Sequence, residues 1–305
     1  MRKVIYGLGM SFEEYLISSN YDTTDIVAFA DKQPEKKGKN IDGIKVISPE
    51  ELVDFEYDYI MVTSEKYYDD IRIFLIDLGC DEKKIKLLKY KTDKYTGEMA
   101  YWQERFRTEN GCFLNDGYKE LFLGIANEKD DTFLKDKIVA DFGCGPRGSL
   151  AWTNVPKVKI GIDVLVNSYM KRFGCCMTGH GMIYVNSDET NIPLPNDYVD
   201  VLCTINSLDH VSVIDNMVNE LCRILKRGGL FLGCFNLNEP KTKCEPQTLT
   251  EELLESKLLD KFEVLDKKIA KKGSEDTYSE IKNGNLVDCL GDDEPGEMWI
   301  KAILK

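Results

Sequence analysis

Several common features are missing from this chain of 305 residues, and each absence excludes a class of protein. No apolar run approaches the roughly 18 residues that cross a bilayer, so we expect no membrane span. The start, residues 1–6, reads as a strand rather than a signal peptide. No C-x-x-C pair occurs among the ten cysteines, which are scattered through apparent strands and helices. Scattered thiols indicate a reducing compartment, so we predict a cytoplasmic protein.

Positive charge is also scarce. Lysine and arginine number 40 against 53 acidic residues, which leaves a net charge of −13. No basic stripe with interleaved aromatics is present, so nucleic acid is not the expected partner. Only two histidines occur, and Cys175, Cys176 and His180 offer three ligands in one short loop without a partner pair. We therefore predict no metal site.

The most informative segment that is present is a glycine-rich turn. An apolar run at residues 138–140 predicts a buried strand, and Asp141, Gly143, Gly145 and Gly148 follow it. Glycines allow the backbone to approach a ligand where any Cβ atom would collide with it. A second predicted strand, residues 159–162, ends at Asp163, where a carboxylate can accept both hydroxyls of a ribose. The pattern predicts a site for a nucleoside-containing cofactor.

The identity of that cofactor depends on Asp141. The spacing Gly143-x-Gly145-x-x-Gly148 is compatible with a dinucleotide, whose pyrophosphate faces backbone amides and a helix N-terminus. A carboxylate two residues before the first glycine would repel a pyrophosphate, whereas it would attract an amino or sulfonium group. The acid therefore favours a cofactor with an amino-acid tail.

Four segments in a fixed order carry a family resemblance: DFGCGPRG (141–148), GIDVL (161–165), residues 186–211 and ELCRILKRGGLFLG (220–233). With them, residues 101–305 resemble the class I S-adenosylmethionine-dependent methyltransferases. The resemblance implies an α/β fold, a seven-stranded sheet with an antiparallel last strand, and S-adenosylmethionine as cofactor.

The resemblance also implies a set of cofactor-binding residues. The methionine half of the cofactor would lie against Asp141, Gly143, Cys144 and Gly145. The ribose would lie against Asp163 and Val164, and the adenine against Asp188 and Glu189. The loop that covers the cofactor would contain Asn206, Ser207 and Leu208. Two other interpretations stay open, because Asp163 could cap the next helix and Asp188 could simply form a turn.

Candidate catalytic residues follow the fourth predicted strand of this domain. His210 lies in a loop at the carboxyl edge of the sheet, where open α/β sheets bind ligands, and an imidazole accepts protons near neutral pH. Asp209 precedes it. His210 is our candidate general base or acceptor contact; the alternative is a histidine that only shapes the loop. Candidate substrate contacts are Tyr101, Trp102, Arg105 and Asn236, with core packing as the alternative for the aromatic residues.

The first ninety residues predict a separate, small Rossmann-like domain, because strands and helices alternate at short spacing. Its motifs are Gly7-Leu8-Gly9, Phe29-Ala30-Asp31 and residues 41–52, and with them it resembles N-terminal domains of bacterial polysaccharide-biosynthesis proteins. Gly7, Gly9 and Asp31 are candidate ligand residues. Three interpretations stay open: a nucleotide or nucleotide-sugar site, a scaffold or dimerisation module, and an NAD-dependent reductase, for which ninety residues leave little room. Residues 91–100 are predicted to be a linker.

Together these observations predict an α/β protein with two doubly wound sheets, the domains being residues 1–90 and 101–305. The expected activity is methyl transfer from S-adenosylmethionine to a small molecule, with a sugar or nucleotide-sugar of surface polysaccharide biosynthesis as the acceptor that the N-terminal resemblance implies. A homodimer is a further expectation. The alternative is a non-catalytic nucleotide-sugar-binding or assembly module with a vestigial cofactor site.

Overall fold

A computed structural model describes residues 1–273, 278–291 and 293–305 of the chain. It divides into two compact units, Met1–Gly111 and Cys112–Lys305. Within the described residues, every helix is too short or too polar to cross a bilayer.

The first unit is built on a six-stranded sheet. Its strands are β1 (Lys3–Tyr6), β2 (Ile26–Ala30), β3 (Asn40–Ile41), β4 (Ile44–Ile47), β5 (Tyr59–Val62) and β6 (Ile85–Leu87). They lie in the order β3-β4-β2-β1-β5-β6, and all pairs are parallel except β3 with β4. The predicted alternation of strands and helices in residues 1–90 is confirmed.

Both faces of this sheet are covered, as a parallel sheet requires. Helix α1 (Met10–Ser18) buries Phe12 and Leu16 against one face, and helix α2 (Tyr68–Asp77) buries Leu75 against the other. A 3-10 helix, Pro49–Asp54, adds Leu52 to the second face. The predicted doubly wound architecture is therefore present.

Helix α3 (Lys94–Thr108) occupies much of the segment that we expected to be a linker. It begins with a capping box, in which the Asp93 carboxylate accepts the backbone amide of Thr96 at 2.7 Å. Met99 and Ala100 are buried, and the helix contacts α1 of the first unit. The charged composition of residues 91–98 concealed this helix, because only one narrow stripe of it is apolar.

The second unit contains a seven-stranded sheet. Its strands are β7 (Ile138–Phe142), β8 (Val158–Asp163), β9 (Ile183–Asn186), β10 (Val199–Ile205), β11 (Leu225–Leu237), β12 (Phe262–Lys271) and β13 (Gly296–Leu304). The order is β12-β13-β11-β10-β7-β8-β9, and β13 runs antiparallel to both of its neighbours. The predicted seven-stranded sheet with an antiparallel last strand is confirmed.

Helices of the second unit cover both faces of its sheet. They are α4 (Gly117–Ala126), α5 (Val166–Met177), α6 (Ile214–Ile224), α7 (Glu251–Lys257) and the single-turn α8 (Ser279–Lys282). On one face α6 contributes Met217 and Leu221 to the core, and on the other α4 contributes Phe122 and Ile125. This arrangement brings the carboxyl ends of β7, β8 and β10 to one edge of the sheet, where the candidate site lies.

Candidate cofactor site

The glycine turn lies directly after β7. Gly143 and Gly145 have φ angles of +71° and +56°, in the left-handed region that a side chain makes costly. A Cβ atom on Gly143 would lie 2.1 Å from the Cβ atom of Ser207, in the loop that follows β10. The glycine is therefore needed for two reasons: its own backbone conformation and the close approach of a neighbouring loop.

The turn is followed by irregular chain rather than by a helix. No helix occurs between the end of β7 at Phe142 and the start of β8 at Val158, and all of these residues are described. A dinucleotide site of the Rossmann type places its pyrophosphate at a helix N-terminus behind the glycines. That donor is missing here, so the geometry agrees with the prediction that the cofactor lacks a pyrophosphate.

Asp141 is the most unusual group of the site. Its side chain is 2% exposed, and Oδ2 accepts a hydrogen bond from the Ser149 hydroxyl. Oδ1 is buried without a hydrogen-bond partner. Burial raises the pKa of this carboxyl to about 7, although the Ser149 hydrogen bond lowers it, and the nearby charge of Asp163 raises it further. A buried carboxylate oxygen with a free lone pair suits the ammonium group of a methionine tail.

Asp163 is the last residue of β8, and its carboxylate accepts hydrogen bonds from two backbone segments. Its Oδ2 accepts the amide of Gly145 at 3.0 Å, and its Oδ1 accepts the amide of Leu165 at 2.9 Å. The carboxylate therefore fixes the glycine turn as well as the chain that enters α5, next to Val164. Its predicted role in binding the ribose hydroxyls stays a prediction.

Cys144, inside the turn, is buried, and burial with two nearby carboxylates raises the pKa of its thiol well above the usual value. Its Sγ would lie 2.8 Å from a Cβ atom on Gly161. This thiol stays protonated at neutral pH, so it fills space under the turn and is not a nucleophile.

Asp188 and Glu189 follow β9. Asp188 is exposed, and its Oδ1 accepts the Thr190 amide and hydroxyl and the Asn191 amide, which lowers the pKa of the carboxyl. Glu189 accepts the amide of Ser212 at 2.9 Å and so joins this loop to the one after β10. Asp188 thus forms the turn that we considered as its alternative role, and its second oxygen is the one available for an adenine amino group.

Asn206, Ser207 and Leu208 follow β10 at the predicted position. The Ser207 hydroxyl donates to the Phe142 carbonyl at 2.9 Å, and Leu208 is fully buried. Asn206 has a φ of +45°, and its Nδ2 donates to the Tyr278 hydroxyl at 3.0 Å. Sequence reasoning missed Tyr278, because it comes from the distant connection between β12 and β13 and carries no local motif.

Asp209 and His210 lie in a 3-10 turn beside a third residue, Glu245. Nε2 of His210 is 4.0 Å from Oδ1 of Asp209 and 3.8 Å from Oε1 of Glu245. Both distances exceed a hydrogen bond, so the structure does not form the His–Asp hydrogen bond of a catalytic dyad. Ligand atoms of the three residues all lie within 4.8 Å of one another. Glu245 was also missed, since it lies far from His210 in sequence.

The other histidine contacts the third glycine of the turn. A Cβ atom on Gly148 would lie 2.4 Å from Cγ of His180, and Nδ1 of His180 is 2.6 Å from the Tyr184 hydroxyl. Burial and the nearby Lys159 ammonium lower the pKa of His180. A neutral imidazole packed on Gly148 explains why that position needs glycine although no helix follows.

Asn236 differs from its predicted position. We expected it in a loop after the fifth strand, but β11 continues to Leu237, and Asn236 is paired with Glu297 of β13. The antiparallel partner extends the strand beyond the end of its parallel neighbour. Glu297 is 1% exposed.

The three predicted aromatic and basic contacts, Tyr101, Trp102 and Arg105, all lie on α3 of the first unit. The Trp102 indole donates to Glu98 at 3.0 Å, and the Arg105 guanidinium lies over the Tyr101 ring, 5.4 Å from its centroid. Their predicted role in substrate binding stays a prediction.

Side chains of the first unit itself bind the backbone of its glycine turn. Asp31 accepts the amide of Leu8 at 2.7 Å, between Gly7 and Gly9, and forms an ion pair with Lys36 at 3.1 Å. The Lys36 ammonium also donates to the Leu8 carbonyl at 2.8 Å. Asp31, the candidate for a ribose, is thus engaged in holding its own turn.

Two family models match the chain. Residues 1–86 match "C2185-like, N-terminal", and residues 140–233 match "Methyltransferase domain". The chain is 28% identical over 155 residues to a fatty-acid O-methyltransferase of Mycolicibacterium smegmatis, which covers 43% of this chain and 55% of that protein. It therefore spans about half the length of the curated relative that it matches.

The chain is also similar to solved structures. The crystal structure of the [4+2]-cyclase SpnF is 19% identical, has a TM-score of 0.50, and covers 70% of this chain and 96% of its own. A methyltransferase from Aquifex aeolicus that depends on S-adenosylmethionine is 17% identical with a TM-score of 0.44, covering 70% and 100%. The family match, the strand order and the buried Asp141 lead to one conclusion. Residues 140–233 lie in a class I methyltransferase domain, and S-adenosylmethionine is its cofactor.

Proposed function

We propose that the protein transfers a methyl group from S-adenosylmethionine to a small-molecule acceptor. The observation that carries this proposal is the buried carboxyl group of Asp141, one oxygen of which accepts no hydrogen bond. It lies beside a turn whose glycines have left-handed backbone conformations. A scaffold that never bound a cation there would gain stability from an apolar residue, because burying an unpaired carboxyl costs free energy. The retained acid therefore supports an active cofactor site over a vestigial one.

Each part of the site has a defined task in this proposal. S-adenosylmethionine supplies a methyl group that is already electrophilic on its sulfonium, so the chain mainly has to bind and align. Asp141, once ionised, binds the ammonium group, and Asp163 accepts the ribose hydroxyls while it holds Gly145 in place. Asp188 and Glu189 lie on the adenine side, and the buried Ser207 and Leu208 exclude water from above.

His210 is proposed to contact the acceptor. Its side chain is 29% exposed, and it lies four residues after Asn206 at the carboxyl edge of the sheet. Asn206 and Tyr278 form the hydrogen bond that joins this loop to the β12–β13 connection. The proposed acceptor region is therefore the edge between these two segments.

For the acceptor we propose a sugar or nucleotide-sugar of surface polysaccharide biosynthesis, in the cytoplasm. Support comes from the motif resemblance of residues 1–90 and from the cysteines, none of which forms a disulfide among the described residues. The competing class is a carboxylate, because the curated relative is named a fatty-acid O-methyltransferase.

One experiment separates these acceptors. The protein is incubated with methyl-deuterated S-adenosylmethionine and, in parallel, with a panel of nucleotide-sugars and a panel of fatty acids. Mass spectrometry then detects the labelled methyl group. A labelled sugar supports the proposal, a labelled ester replaces the acceptor, and cofactor binding without any product favours the non-catalytic alternative.

We infer that the first unit acts as a scaffold. The ion pair of Asp31 with Lys36 and the Leu8 amide use the groups that a nucleotide would need. A homodimer is part of this proposal, and light scattering of the full chain over a range of concentrations tests it. Saturable binding of UDP or GDP that Asp31→Asn abolishes would overturn the scaffold assignment.

A further inference from the structure

We propose that Asp209, His210 and Glu245 bind a divalent cation, in contrast to the expectation from the sequence that the chain has no metal site. The three side chains come from two segments: the turn after β10 and the connection between β11 and α7. One imidazole nitrogen and two carboxylates form a mixed donor set that suits Mn²⁺ or Zn²⁺.

The separations of the ligand atoms match those around one ion. Nε2 of His210 lies 4.0 Å from Asp209 Oδ1 and 3.8 Å from Glu245 Oε1, too far for hydrogen bonds. Two ligand atoms that each lie about 2.1 Å from one ion are separated by roughly 3.0 to 4.2 Å, depending on the angle between them. Both distances from the imidazole fall in that range, and all three ligand atoms lie within 4.8 Å of one another, so small side-chain rotations would place them around one ion.

Burial and backbone contacts make the arrangement more than a surface cluster. The Asp209 side chain is 8% exposed, whereas His210 and Glu245 are 29% and 38% exposed. The Asp209 carboxylate is thus the most enclosed of the three groups, and the other two are more accessible to solvent.

Gln247 fixes the distance between the two segments. Its backbone amide donates to the Asp209 carbonyl at 3.2 Å, and its side-chain amide donates to the carbonyls of Val211 and Ser212. Glu245, two residues earlier, is therefore held near His210 by contacts that use none of the three ligating side chains.

The location suggests what the cation does. It would have open coordination positions on the exposed side, beside the loop that carries Asn206, Ser207 and Leu208. A cation there can bind an acceptor oxygen and make its proton easier to lose. This role rests on the proposed methyl transfer, but cation binding does not, and the experiment below measures binding alone.

The test uses the untagged full chain, freed of metal with a chelator and titrated with Mn²⁺ while electron paramagnetic resonance monitors the free ion. We expect one saturable site per chain, displaced by Zn²⁺. Glu245→Gln and His210→Ala should each weaken binding about tenfold or more, since each removes one ligand. Glu252→Gln, an exposed residue of α7, is the matched control and should leave binding unchanged.

A second readout identifies the ligand itself. Pulsed electron paramagnetic resonance of bound Mn²⁺ should show coupling to an imidazole nitrogen that disappears in His210→Ala. The absence of saturable binding, or binding that neither Glu245→Gln nor His210→Ala weakens, would overturn the proposal. Calorimetric titration of the same metal-free protein with S-adenosylmethionine shows separately whether the cofactor site is intact.

Discussion

Gly143 and Ser207 are in such close contact that a Cβ atom on the glycine would overlap the serine side chain, at 2.1 Å from its Cβ. The turn after β7 and the loop after β10 therefore form one structure, held further by the hydrogen bond from Ser207 to the Phe142 carbonyl. A methyl group added at Gly143 would push the turn after β7 and the loop after β10 apart. Both segments belong to the proposed cofactor site.

Gly143→Ala should therefore abolish cofactor binding and lower the free energy of unfolding by about 1 kcal/mol or more, from backbone strain and overlap together. Calorimetry and thermal unfolding measure both effects. Gly174→Ala is the matched control: it lies in α5, where a Cβ atom would meet only Met170 at 3.9 Å. This control should be neutral or stabilising, because alanine favours a helix. Normal binding by Gly143→Ala would contradict the geometry.

The pKa of Asp141, raised to about 7 by burial, predicts proton release on cofactor binding. The ammonium group of the cofactor favours the ionised carboxylate, so affinity should rise with pH up to about 7 and then level off. At pH 7 about half a proton should be released per cofactor bound. Calorimetry in buffers of different ionisation enthalpy measures that number. Asp141→Asn should bind weakly, with no proton release at any pH.

The raised pKa of Asp141 has the opposite effect on folding: as pH rises, cofactor affinity should increase, whereas the contribution of Asp141 to stability should decrease. The folded pKa lies above the ordinary value of 3.8, so the folded protein binds the extra proton between these values. The contribution of Asp141 to the free energy of unfolding should therefore fall as pH rises from about 4 to about 7, and stay constant above that. Urea unfolding of the wild type and of Asp141→Asn, compared across this pH range, isolates the contribution of Asp141 to the free energy of unfolding. A difference between the two proteins that does not change with pH would show that the carboxyl is ionised throughout.

Ser149→Ala should move these pH profiles upward. The Ser149 hydroxyl donates to Asp141 and lowers the pKa of the carboxyl, so its removal should raise that pKa and weaken binding at neutral pH. At higher pH the affinity should recover toward the wild-type value. Ser256→Ala, whose hydroxyl only donates to backbone carbonyls of its own helix, is the control. Equal loss of affinity at every pH would indicate a steric effect instead.

Elements with a strong local pattern could be predicted from the sequence. The β7 and β8 strands, the glycine turn and Asp163 were located correctly because apolar runs and strand-end acids occur at fixed spacing. A helical stretch was predicted from Tyr101, but the first turns of α3 were assigned to the linker, because residues 91–98 are mostly polar and only the contact with α1 reveals the buried stripe. The end of β11 was placed too early, since its extension depends on the antiparallel partner β13.

The remaining site residues could not be predicted, because distant segments bring them together. Tyr278 reaches Asn206 from the connection between β12 and β13, and Glu245 reaches His210 because Gln247 holds its segment in place. Neither residue belongs to a local motif. The absence of a helix after Gly148 was equally hidden, although it separates this site from a dinucleotide site.

The central claim is that the second unit binds S-adenosylmethionine through the carboxylates of Asp141 and Asp163. The most direct measurement is calorimetric titration of the full chain with S-adenosylmethionine and S-adenosylhomocysteine, repeated on Asp163→Ala and on Glu263→Ala, an exposed control on β12. We predict saturable binding of both ligands to the wild type and the control. Asp163→Ala should lose about tenfold or more in affinity, because charged hydrogen bonds are removed. No binding to the wild type, or unchanged affinity in Asp163→Ala, would contradict the claim.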